Sequence, residues 1–447
     1  MRVLHIITGL GVGGAEQQLR LLLRHLPSHG VDSEVIALAN SGPVADGIRA
    51  DGTPVTCLSM NGNRDFKALP KLVALIRRGQ YDVVHTHLYR ACVYGRIAAR
   101  LAGVRAVVAT EHSLGDVYIE GRRLTVGVRA LYLATERLGA TTVAVSPTVA
   151  DRLQRWGVPA PRIEVVPNGI DATAFRYSPE TRRVVRAQLG LPEGAFTVGG
   201  VGRLVRGKRF DELVRAVAQL PEVHLLLIGG GPEREALETL VARLGMRDRV
   251  LLLGERAAFP TTSRGSGPAA HGTSPGPAAM ASGTGGVGAM NRPGARPQGG
   301  LPAGAPGAAL PSAHHEVTPP SSDDHSHGPD LPGLLSAMDV LVSPCPEETF
   351  GLAVIEGLAA GLPVLHVACP AIDDLLADAA PGARRITGGA DGIADALRRL
   401  RTEGTGRLTV PPAVHHYDIA RSAERLGTVY EHVAARPIRR TAEVSAV

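Results

Sequence analysis

The chain alternates short apolar runs with longer stretches in which apolar residues recur every three or four positions. The first series of runs is RVLHIIT, EVIALA, YDVVHTH, AVVAT and TTVAVS, and a second series starts near residue 196 with FTVGGVG, VHLLLIGGG, RVLLLG, DVLVSP and PVLHVA. The short runs are typical of buried strands, and the periodic stretches are typical of amphipathic helices. Such alternation predicts parallel βαβ units with helices on both sheet faces. We therefore expect an α/β fold with two Rossmann-like, doubly wound domains.

The limits of the domains follow from where each series begins and ends. A chain of 447 residues is long enough for two α/β domains. We predict an N-terminal domain over residues 1–175 and a C-terminal domain over 186–410, joined near 172–190. Residues 411–447 are predicted to form a C-terminal helix and tail that pack back on the N-terminal domain.

Residues 256–330 interrupt the alternation with a segment rich in Gly, Pro, Ala and Ser that has no periodic apolar face. Such a segment cannot bury enough surface to offset its chain entropy. It predicts a disordered insertion between the strand ending at Gly254 and a short helix at Leu331–Ala337. Within it we expect a solvated polar patch, with weak metal capture as the alternative, at four histidines: His314, His315, His325 and His327.

Composition and charge narrow the class of protein. Apolar residues make up 44% of the chain and charged residues 20%, which is typical of a globular protein, and the net charge of +6 is spread along the chain. This favours small anionic ligands, or peripheral contact with an anionic membrane, over nucleic acid. Four scattered cysteines without a CxxC pair argue against a disulfide framework or a zinc site. This use of cysteine favours the reducing cytoplasm, and with no apolar run of membrane-spanning length we expect any contact with the inner face of the membrane to be peripheral.

The first glycine-rich loop, GLGVGG, follows the first predicted strand and places Gly9, Gly11 and Gly14 in the pattern GxGxxG. This pattern in a strand-loop-helix setting is typical of NAD sites. Those sites also need an acidic residue at the end of the second strand, where this chain has Asn40. An NAD-dependent oxidoreductase is therefore the less favoured alternative.

The second glycine-rich loop, GRLVRGKR, has Gly202, Gly207 and Lys208 at the spacing of a P-loop. Arg209 stands where a P-loop needs a Ser or Thr to hold Mg²⁺, so a nucleoside triphosphatase is disfavoured. Arg203 and Lys208 nevertheless supply two cations that could reach one diphosphate. The alternative is a pair of surface cations near the start of a helix.

The third loop, LIGGGPEREALE, has Gly229–Gly231 followed by Pro232, a residue suited to the first turn of a helix. It predicts either a tight turn or a ligand contact. All three loops follow predicted strands, and ligands of doubly wound sheets lie beyond the carboxyl ends of the strands.

Two glutamates flank the start of a predicted helix in PEETFGLAVIEGLAAG, which ends at Gly361. Glu348 lies in the preceding loop, and Glu356 follows about two turns along the helix. Free backbone N–H groups around Thr349–Leu352 suit a phosphate, and Gly351 allows close approach. The arrangement suits a nucleotide diphosphate sugar, with one carboxylate on each sugar ring. The alternative is that Glu348 complements the helix dipole and Glu356 is solvated.

The combined motifs resemble the retaining glycosyltransferases of family 4. The resemblance is carried by PEETFGLAVIEGLAAGLPV, GVGRLVRGKRFDELVRA, VVPNGID, GGAEQQL and GGGPEREALE, and it covers nearly the whole chain outside the insertion. It implies a GT-B fold, in which two Rossmann-like domains face each other across a cleft. After PVL the chain has HVACPAIDDLL in place of the usual glycine-containing segment with a glutamate, so contacts with the donor sugar there are not carried over.

The resemblance also implies roles for individual residues. It suggests that Glu356 binds the ribose hydroxyls, that Glu348 binds the donor sugar, and that Arg203 and Lys208 neutralise the leaving diphosphate. His112 in VVATEHS would face the reacting carbon, whereas His85 and His87 are more readily explained as structural. The remaining donor-binding residues that it suggests are Gly13, Gly14, Gly202, Thr349, Phe350, Gly351 and Leu352.

The implied activity is metal-independent, cofactor-free transfer of a sugar, with retention of configuration. A UDP or GDP sugar would be the donor, and the hydroxyl of a glycan, a lipid-linked molecule or a small molecule would be the acceptor. The candidate catalytic residues are His112, Glu348, Arg203 and Lys208. The alternative from another class is a nucleotide-sugar-binding protein without catalytic activity.

Overall fold

A computed structural model describes residues 1–62, 65–115, 118–119, 122–256, 328–404 and 406–435. The strands of the first half are β1 (Arg2–Ile7), β2 (Asp32–Ala37), β3 (Val55–Cys57), β4 (Val83–His87), β5 (Val107–Glu111), β6 (Tyr118–Ile119), β7 (Arg122–Arg123), β8 (Thr141–Ala144) and β9 (Ile163–Val165). Seven of them form one sheet in the order β3-β2-β1-β4-β5-β8-β9, and β6 and β7 form a small antiparallel pair. All paired strands of the large sheet run parallel.

Helices connect these strands and lie on both faces of the sheet. They are α1 (Gly14–His25), α2 (Gly42–Ala50), α3 (Ala68–Gly79), α4 (Tyr89–Ala102), α5 (Val126–Glu136) and α6 (Pro147–Trp156). Every residue of β4 and β5 is buried, as expected for central strands of a parallel sheet that is covered on both faces.

The second half repeats the plan with six parallel strands in the order β12-β11-β10-β13-β14-β15. The strands are β10 (Phe196–Val201), β11 (Val223–Ile228), β12 (Val250–Gly254), β13 (Val340–Ser343), β14 (Val364–His366) and β15 (Ala383–Arg385). The helices from α7 onward are α7 (Pro179–Gln188), α8 (Phe210–Ala218), α9 (Arg234–Arg243), α10 (Leu331–Ala337), α11 (Leu352–Ala359), α12 (Pro370–Asp373), α13 (Ala390–Glu403), α14 (Pro412–His416) and α15 (Ile419–Ala434).

The strand order identifies where each sheet can bind a ligand. The order reverses at β1, which lies between β2 and β4, and again at β10, which lies between β11 and β13. Ligands of doubly wound sheets bind at such reversal points, beyond the carboxyl ends of the strands. The first and second glycine-rich loops follow β1 and β10, so both lie at these points.

Helices make contacts both within the second half and between the two halves. In α7, Arg182 forms an ion pair of 2.7 Å with Asp339, just before β13. The last helix, α15, packs on α1, and the Tyr430 hydroxyl is 2.6 Å from Nδ1 of His85 in β4. No helix in the described residues is both long enough and apolar enough to cross a membrane.

Some helices begin at other residues than the sequence predicts. The prediction of α10 is confirmed, but the helix predicted after PEE begins at Leu352 rather than at Thr349, because Gly351 has a φ of 103° that interrupts helical geometry. Pro232 precedes α9, which begins at Arg234, instead of occupying its first turn. The predicted insertion, apart from its ends, and its four histidines lie outside the described residues. The predicted domain limits stay predictions.

Candidate active site

A cavity of about 790 Å³ lies at the carboxyl edges of both sheets, and all the site residues predicted from the sequence line it. From the first half these are Gly13, Gly14 and His112. From the second half they are Gly202, Arg203, Lys208, Glu348, Thr349, Phe350, Gly351, Leu352 and Glu356. Loops that are far apart in the sequence thus meet around one space.

Lys208 and Glu348 form an ion pair inside this cavity, joining the loop after β10 to the loop after β13. Burial lowers the pKa of Lys208, but the neighbouring carboxylate of Glu348 outweighs it, and the pKa lies above its ordinary value. The ammonium group is therefore charged at neutral pH. Beside it, Arg203 is exposed and has no hydrogen-bond or ion-pair partner among the described residues, so its guanidinium can bind a ligand.

Glu356 lies in the second turn of α11, and its carboxylate has no hydrogen-bond or ion-pair partner in the described part of the chain. Burial raises its pKa to about 7. Glu356 is only partly buried and lines the cavity, but a charged carboxylate in such a partly desolvated place is still costly unless a donor reaches it. Hydroxyl groups of a ligand in the cavity could be such donors.

The loop before α11 is held from both halves of the chain. The Thr349 hydroxyl donates to the carbonyl of His112 over 2.7 Å, and the Ser146 hydroxyl donates to the carbonyl of Thr349 over 2.8 Å. The Arg152 guanidinium donates to the carbonyl of Glu348 over 3.0 Å. The backbone N–H groups of residues 349–353 have no acceptor in the described residues, which leaves them available to an anion.

The first glycine-rich loop approaches the same helix start from the opposite side. A methyl group added to Gly14 would lie 3.3 Å from Cδ1 of Leu352. The N–H groups of Gly14 and Ala15, at the start of α1, have no acceptor within the described ranges. Two helix N-termini therefore meet at one cavity. Asn40 also lines it and accepts a bond from the N–H of Leu10, but it supplies no carboxylate for an NAD ribose.

The second glycine-rich loop does not form a phosphate cradle of P-loop type. Its N–H groups at residues 202, 204, 205, 208 and 209 already donate to backbone carbonyls. Only the N–H groups of residues 203, 206 and 207 have no acceptor among the described residues, so most of the contact with a phosphate would come from the side chains of Arg203 and Lys208. In the third loop, a methyl group on Gly229 or Gly231 would overlap the carbonyls of Gly202 or Leu204, so these glycines allow the second and third loops to pack closely.

His112 follows β5 and lines the cavity with its ring largely buried. Burial lowers its pKa to about 4, so the imidazole is neutral at physiological pH. His87 and His85 lie deeper, in β4. His87 contacts His112 with its ring Nδ1, 3.2 Å from Nε2, whereas His85 contacts Tyr430 and the hydroxyl of Thr110.

Several residues at or behind the site were missed by the sequence reasoning. His5 in β1 lies 3.2 Å from His87, and Arg152 in α6 holds the Glu348 backbone. Asn168 lines the cavity, and the quoted VVPNGID stretch was the signal that could have identified it. His5 and Arg152 carry no local motif, because their partners are distant in the sequence.

Comparison with models of known protein families identifies the family of the chain. A profile described as "Glycosyltransferase Family 4" matches residues 12–174, and two described as "Glycosyl transferases group 1" match residues 181–261 and 317–403. The chain belongs to the group 1 glycosyltransferases. The family resemblance predicted from the sequence is thus confirmed, and the matched ranges contain every strand of the two large sheets except β1.

Curated relatives of this group 1 glycosyltransferase include two bacterial enzymes. UDP-Gal:alpha-D-GlcNAc-diphosphoundecaprenol alpha-1,3-galactosyltransferase of Escherichia coli is 29% identical over 54% of this chain and 65% of its own. D-inositol 3-phosphate glycosyltransferase of Acidothermus cellulolyticus is 30% identical over 55% of this chain and 62% of its own. The chain therefore spans less than two thirds of the length of these relatives.

Solved structures confirm the GT-B fold of this group 1 glycosyltransferase. Anabaena HepE in complex with UDP and glucose has a TM-score of 0.70 at 19% identity, covering 97% of this chain and 100% of its own. WaaG, described as a glycosyltransferase involved in lipopolysaccharide biosynthesis, has a TM-score of 0.58 at 16% identity. The match covers 97% of this chain and 98% of the WaaG chain. The predicted arrangement of two doubly wound domains across a cleft is thus confirmed.

Proposed function

We propose that the protein transfers a sugar from a nucleotide diphosphate sugar to a hydroxyl group, with retention of configuration and without a metal ion. The observation that carries this proposal is the meeting of Lys208, Arg203 and the unpartnered N–H groups of residues 349–353 in one cavity with Glu356. Cations and main-chain donors suit a diphosphate, and an unpartnered carboxylate suits the hydroxyls of a ribose.

The chemistry that these residues support is stabilisation of a leaving diphosphate. As the bond between the sugar and the phosphate breaks, negative charge grows on the phosphate oxygens, and fixed cations and N–H groups stabilise that charge. Lys208 and Arg203 would supply the positive charge that a metal ion supplies elsewhere. Glu348 pairs with Lys208, and in this proposal it also accepts hydrogen bonds from hydroxyls of the donor sugar.

Neutral His112 is suited to a hydrogen bond with the sugar next to the reacting carbon. Its Nδ1 is a buried atom without a hydrogen-bond partner in the described residues, and the ring lines the cavity. In this proposal the acceptor hydroxyl attacks the face of the sugar from which the diphosphate leaves. The contacts of both domains with the donor are kept during the reaction.

A UDP sugar is the preferred donor in this proposal, with a GDP sugar as the second choice. The name of the Escherichia coli relative includes UDP-galactose, and HepE was solved with UDP. The same relative acts on a diphosphoundecaprenol acceptor, which supports a lipid-linked acceptor here and, with it, peripheral contact with the inner face of a membrane. Exposed Val126 and Leu131 of α5 offer apolar surface for that contact.

The proposal is tested by incubating the purified chain with UDP and GDP sugars and a panel of acceptors, with and without EDTA. We expect release of the nucleotide diphosphate that depends on the acceptor, an anomeric configuration in the product that matches the donor, and the same rate with EDTA. Inversion of the anomeric centre, or loss of activity with EDTA, would reject that part of the proposal. Tight binding of a nucleotide sugar without turnover on any acceptor would favour the binding protein.

A further inference from the structure

A row of buried imidazoles extends from His112 into the first sheet. Nδ1 of His87 lies 3.2 Å from Nε2 of His112, and Nε2 of His87 lies 3.2 Å from Nδ1 of His5. At the far end, Nε2 of His5 lies 3.4 Å from the hydroxyl of Ser33. His5 and His87 are fully buried, and His112 is 8% exposed. The row thus connects the candidate active site to the opposite side of β1.

The positions of the protons on neighbouring rings in this row depend on one another, as the number of donor and acceptor nitrogens shows. A neutral imidazole has one donor nitrogen and one acceptor nitrogen. His87 bonds through both of its nitrogens, so it must donate to one neighbour and accept from the other. The direction in which the row donates therefore sets which nitrogen of His112 carries the proton. Since Nε2 of His112 faces His87, this also decides whether Nδ1 can donate to a ligand or accept from one.

The surroundings keep the row neutral. Burial lowers the pKa of His5 to about 3 and that of His112 to about 4. The pKa of His87 is lowered by burial first and then by the neighbouring rings of His85, His112 and His5. Since none of these rings is charged at neutral pH, the counting for neutral imidazoles applies to all of them.

A metal ion is the other reading of this cluster. The ligand nitrogens of His5, His85 and His87 all lie within 4.8 Å of one another. However, both nitrogens of His85 are already bonded at 2.6 Å, one to Tyr430 and one to Thr110. An ion would have to break these bonds and those of His87, so the hydrogen-bonded row explains the contacts better.

The backbone also fixes the position of His87. It pairs in register with Ile7 of β1, and the next residue, Leu88, has a φ of 73° before α4 begins. A leucine in the left-handed region is strained and persists only where the surroundings enforce it. Leu88 itself lines the cavity. The end of β4 is therefore held in one geometry beside the site.

We propose that His87, supported by His5, is a positioning residue that holds His112 in a single neutral tautomer for the transfer reaction. The inference rests on the proposed function, because it assumes that His112 contacts the sugar at the reacting carbon. His87 itself touches no ligand in this account. It acts through the ring of His112.

The test combines NMR of the full chain labelled with ¹⁵N-histidine with kinetics of the same samples. Long-range ¹H–¹⁵N spectra distinguish the two imidazole tautomers, and His112→Asn assigns the signal. In the wild-type protein we expect one tautomer of His112. In His87→Leu we expect a mixture of tautomers or a switch to the other one. We also expect a fall in kcat of about 10- to 100-fold, as loss of a preorganised hydrogen bond at the reacting group causes, and a KM for the donor within about twofold of wild type.

Two further variants separate positioning from folding. His87→Asn keeps a hydrogen-bonding amide at the place of Nδ1 but loses the bond to His5. It should therefore give a partial mixture of tautomers and a smaller fall in kcat than His87→Leu, and it tests the proposal if His87→Leu does not fold. Tyr430→Phe is the matched control, because it removes a buried bond to His85 but keeps the ring that packs on His5 and every hydrogen bond of the row, and the His112 signal should stay unchanged.

The outcomes separate the inference from the proposed function. An unchanged His112 tautomer in His87→Leu, or two tautomers in the wild type, would overturn the inference whatever the activity. Stoichiometric zinc in the purified protein that is lost in His87→Asn would overturn it in favour of a metal site. The expected tautomer change in a protein that transfers no sugar would support the coupling and reject the proposed function instead.

Discussion

At the scale of single residues, Glu356 lowers the stability of the ligand-free protein near neutral pH and is expected to contribute to donor binding. Its carboxylate is partly buried and has no hydrogen-bond or ion-pair partner in the described residues, and desolvation raises its pKa from an ordinary value of 4.5 to about 7. Near neutral pH part of the population is therefore protonated. A ligand that donates hydroxyls to the carboxylate favours the charged form, so we expect donor binding to weaken as the pH falls below about 7.

The cost of Glu356 to stability is measurable. Because its folded pKa is raised, its contribution to stability is present below about pH 4.5 and is lost as the pH rises through about 7. Glu356→Gln, which is neutral at every pH, should therefore raise the free energy of unfolding by about 1–3 kcal/mol at pH 8 and change it little at pH 4.5. Thermal melts at both pH values check this.

The control for Glu356→Gln is Glu424→Gln, at an exposed glutamate in the interior of α15, which should leave the free energy of unfolding unchanged at both pH values. Kinetics of the same Glu356 variant should show kcat/KM for the donor reduced by about 10-fold or more, because the amide supplies one acceptor oxygen instead of two and no charge. Equal stability of wild type and variant at pH 8 would contradict the assigned burial.

Lys208 is expected to act on the leaving group. Lys208→Ala removes a fixed positive charge from the cavity and should lower kcat by about 100-fold, as loss of one preorganised charge contact typically does. Lys71→Ala, at an exposed position of α3, is the matched control and should retain the wild-type rate. Steady-state kinetics with saturating donor measure both. A Lys208→Ala variant that is folded and nearly as fast as wild type would refute this role.

The site residues that were predicted from the sequence and those that were missed differ in how far along the sequence their partners lie. Glu348 and Glu356 stand in one short motif with a helix start between them, so local spacing predicted their place. The partner of His5 is 82 residues away, and the partner of Arg152 is 196 residues away. Only the folded chain brings such residues together, and a lone histidine or arginine in a sequence does not indicate its contact.

At the scale of elements, the start of α11 depends on a single glycine. Gly351 has a φ of 103°, and a methyl group on it would overlap Sγ of Cys369. Gly351→Ala should therefore lower the free energy of unfolding by about 1–3 kcal/mol and weaken donor binding, since both the backbone and the packing at the helix start are strained. Urea unfolding and calorimetric binding of UDP check these effects.

The control for this substitution is another glycine-to-alanine change. Gly127 lies in the first turn of α5 with nothing within 4 Å of an added methyl group. Gly127→Ala should leave UDP binding unchanged and stabilise the chain slightly, because alanine favours the helix. If Gly351→Ala and Gly127→Ala have the same stability and the same affinity for UDP, the proposed role of the Gly351 conformation is wrong.

The pattern of apolar residues predicted the alternating strands and helices because parallel strands buried on both faces are continuous apolar runs. It placed the start of α11 three residues early because Gly351 leaves helical geometry. Tertiary contacts with His112 and Tyr417 hold Thr349 and Phe350 outside the helix. The helix α7, within the predicted connection, was also missed. Its start is marked by Ser178, whose side chain accepts a bond from the N–H of Thr181.

At the scale of the whole molecule, the described ends of the predicted insertion lie close together. A methyl group added to Gly328 would lie 2.7 Å from the guanidinium of Arg256. Asp330 caps α10 by accepting from the N–H of Gly333, so a deletion should stop before it. Replacing residues 257–327 by a short Gly-Ser linker should leave the melting temperature and kcat/KM nearly unchanged.

Thermal melts and transfer assays of this deletion protein test that expectation. The matched control removes residues 257–330, which also deletes the cap of α10 and should lower stability by about 1 kcal/mol. A folded 257–327 deletion without activity would show that the segment contributes to the site, and the proposal that both halves alone form it would be wrong.

The central claim is that one cavity between the two halves binds a nucleotide through its diphosphate and its ribose. Calorimetric titration of the full chain with UDP, UMP, GDP and NADH tests it most directly. We predict that UDP binds at least about tenfold more tightly than UMP, that this preference falls in Lys208→Ala, and that NADH does not bind. Equal affinities for UDP and UMP, or binding of NADH alone, would contradict the account.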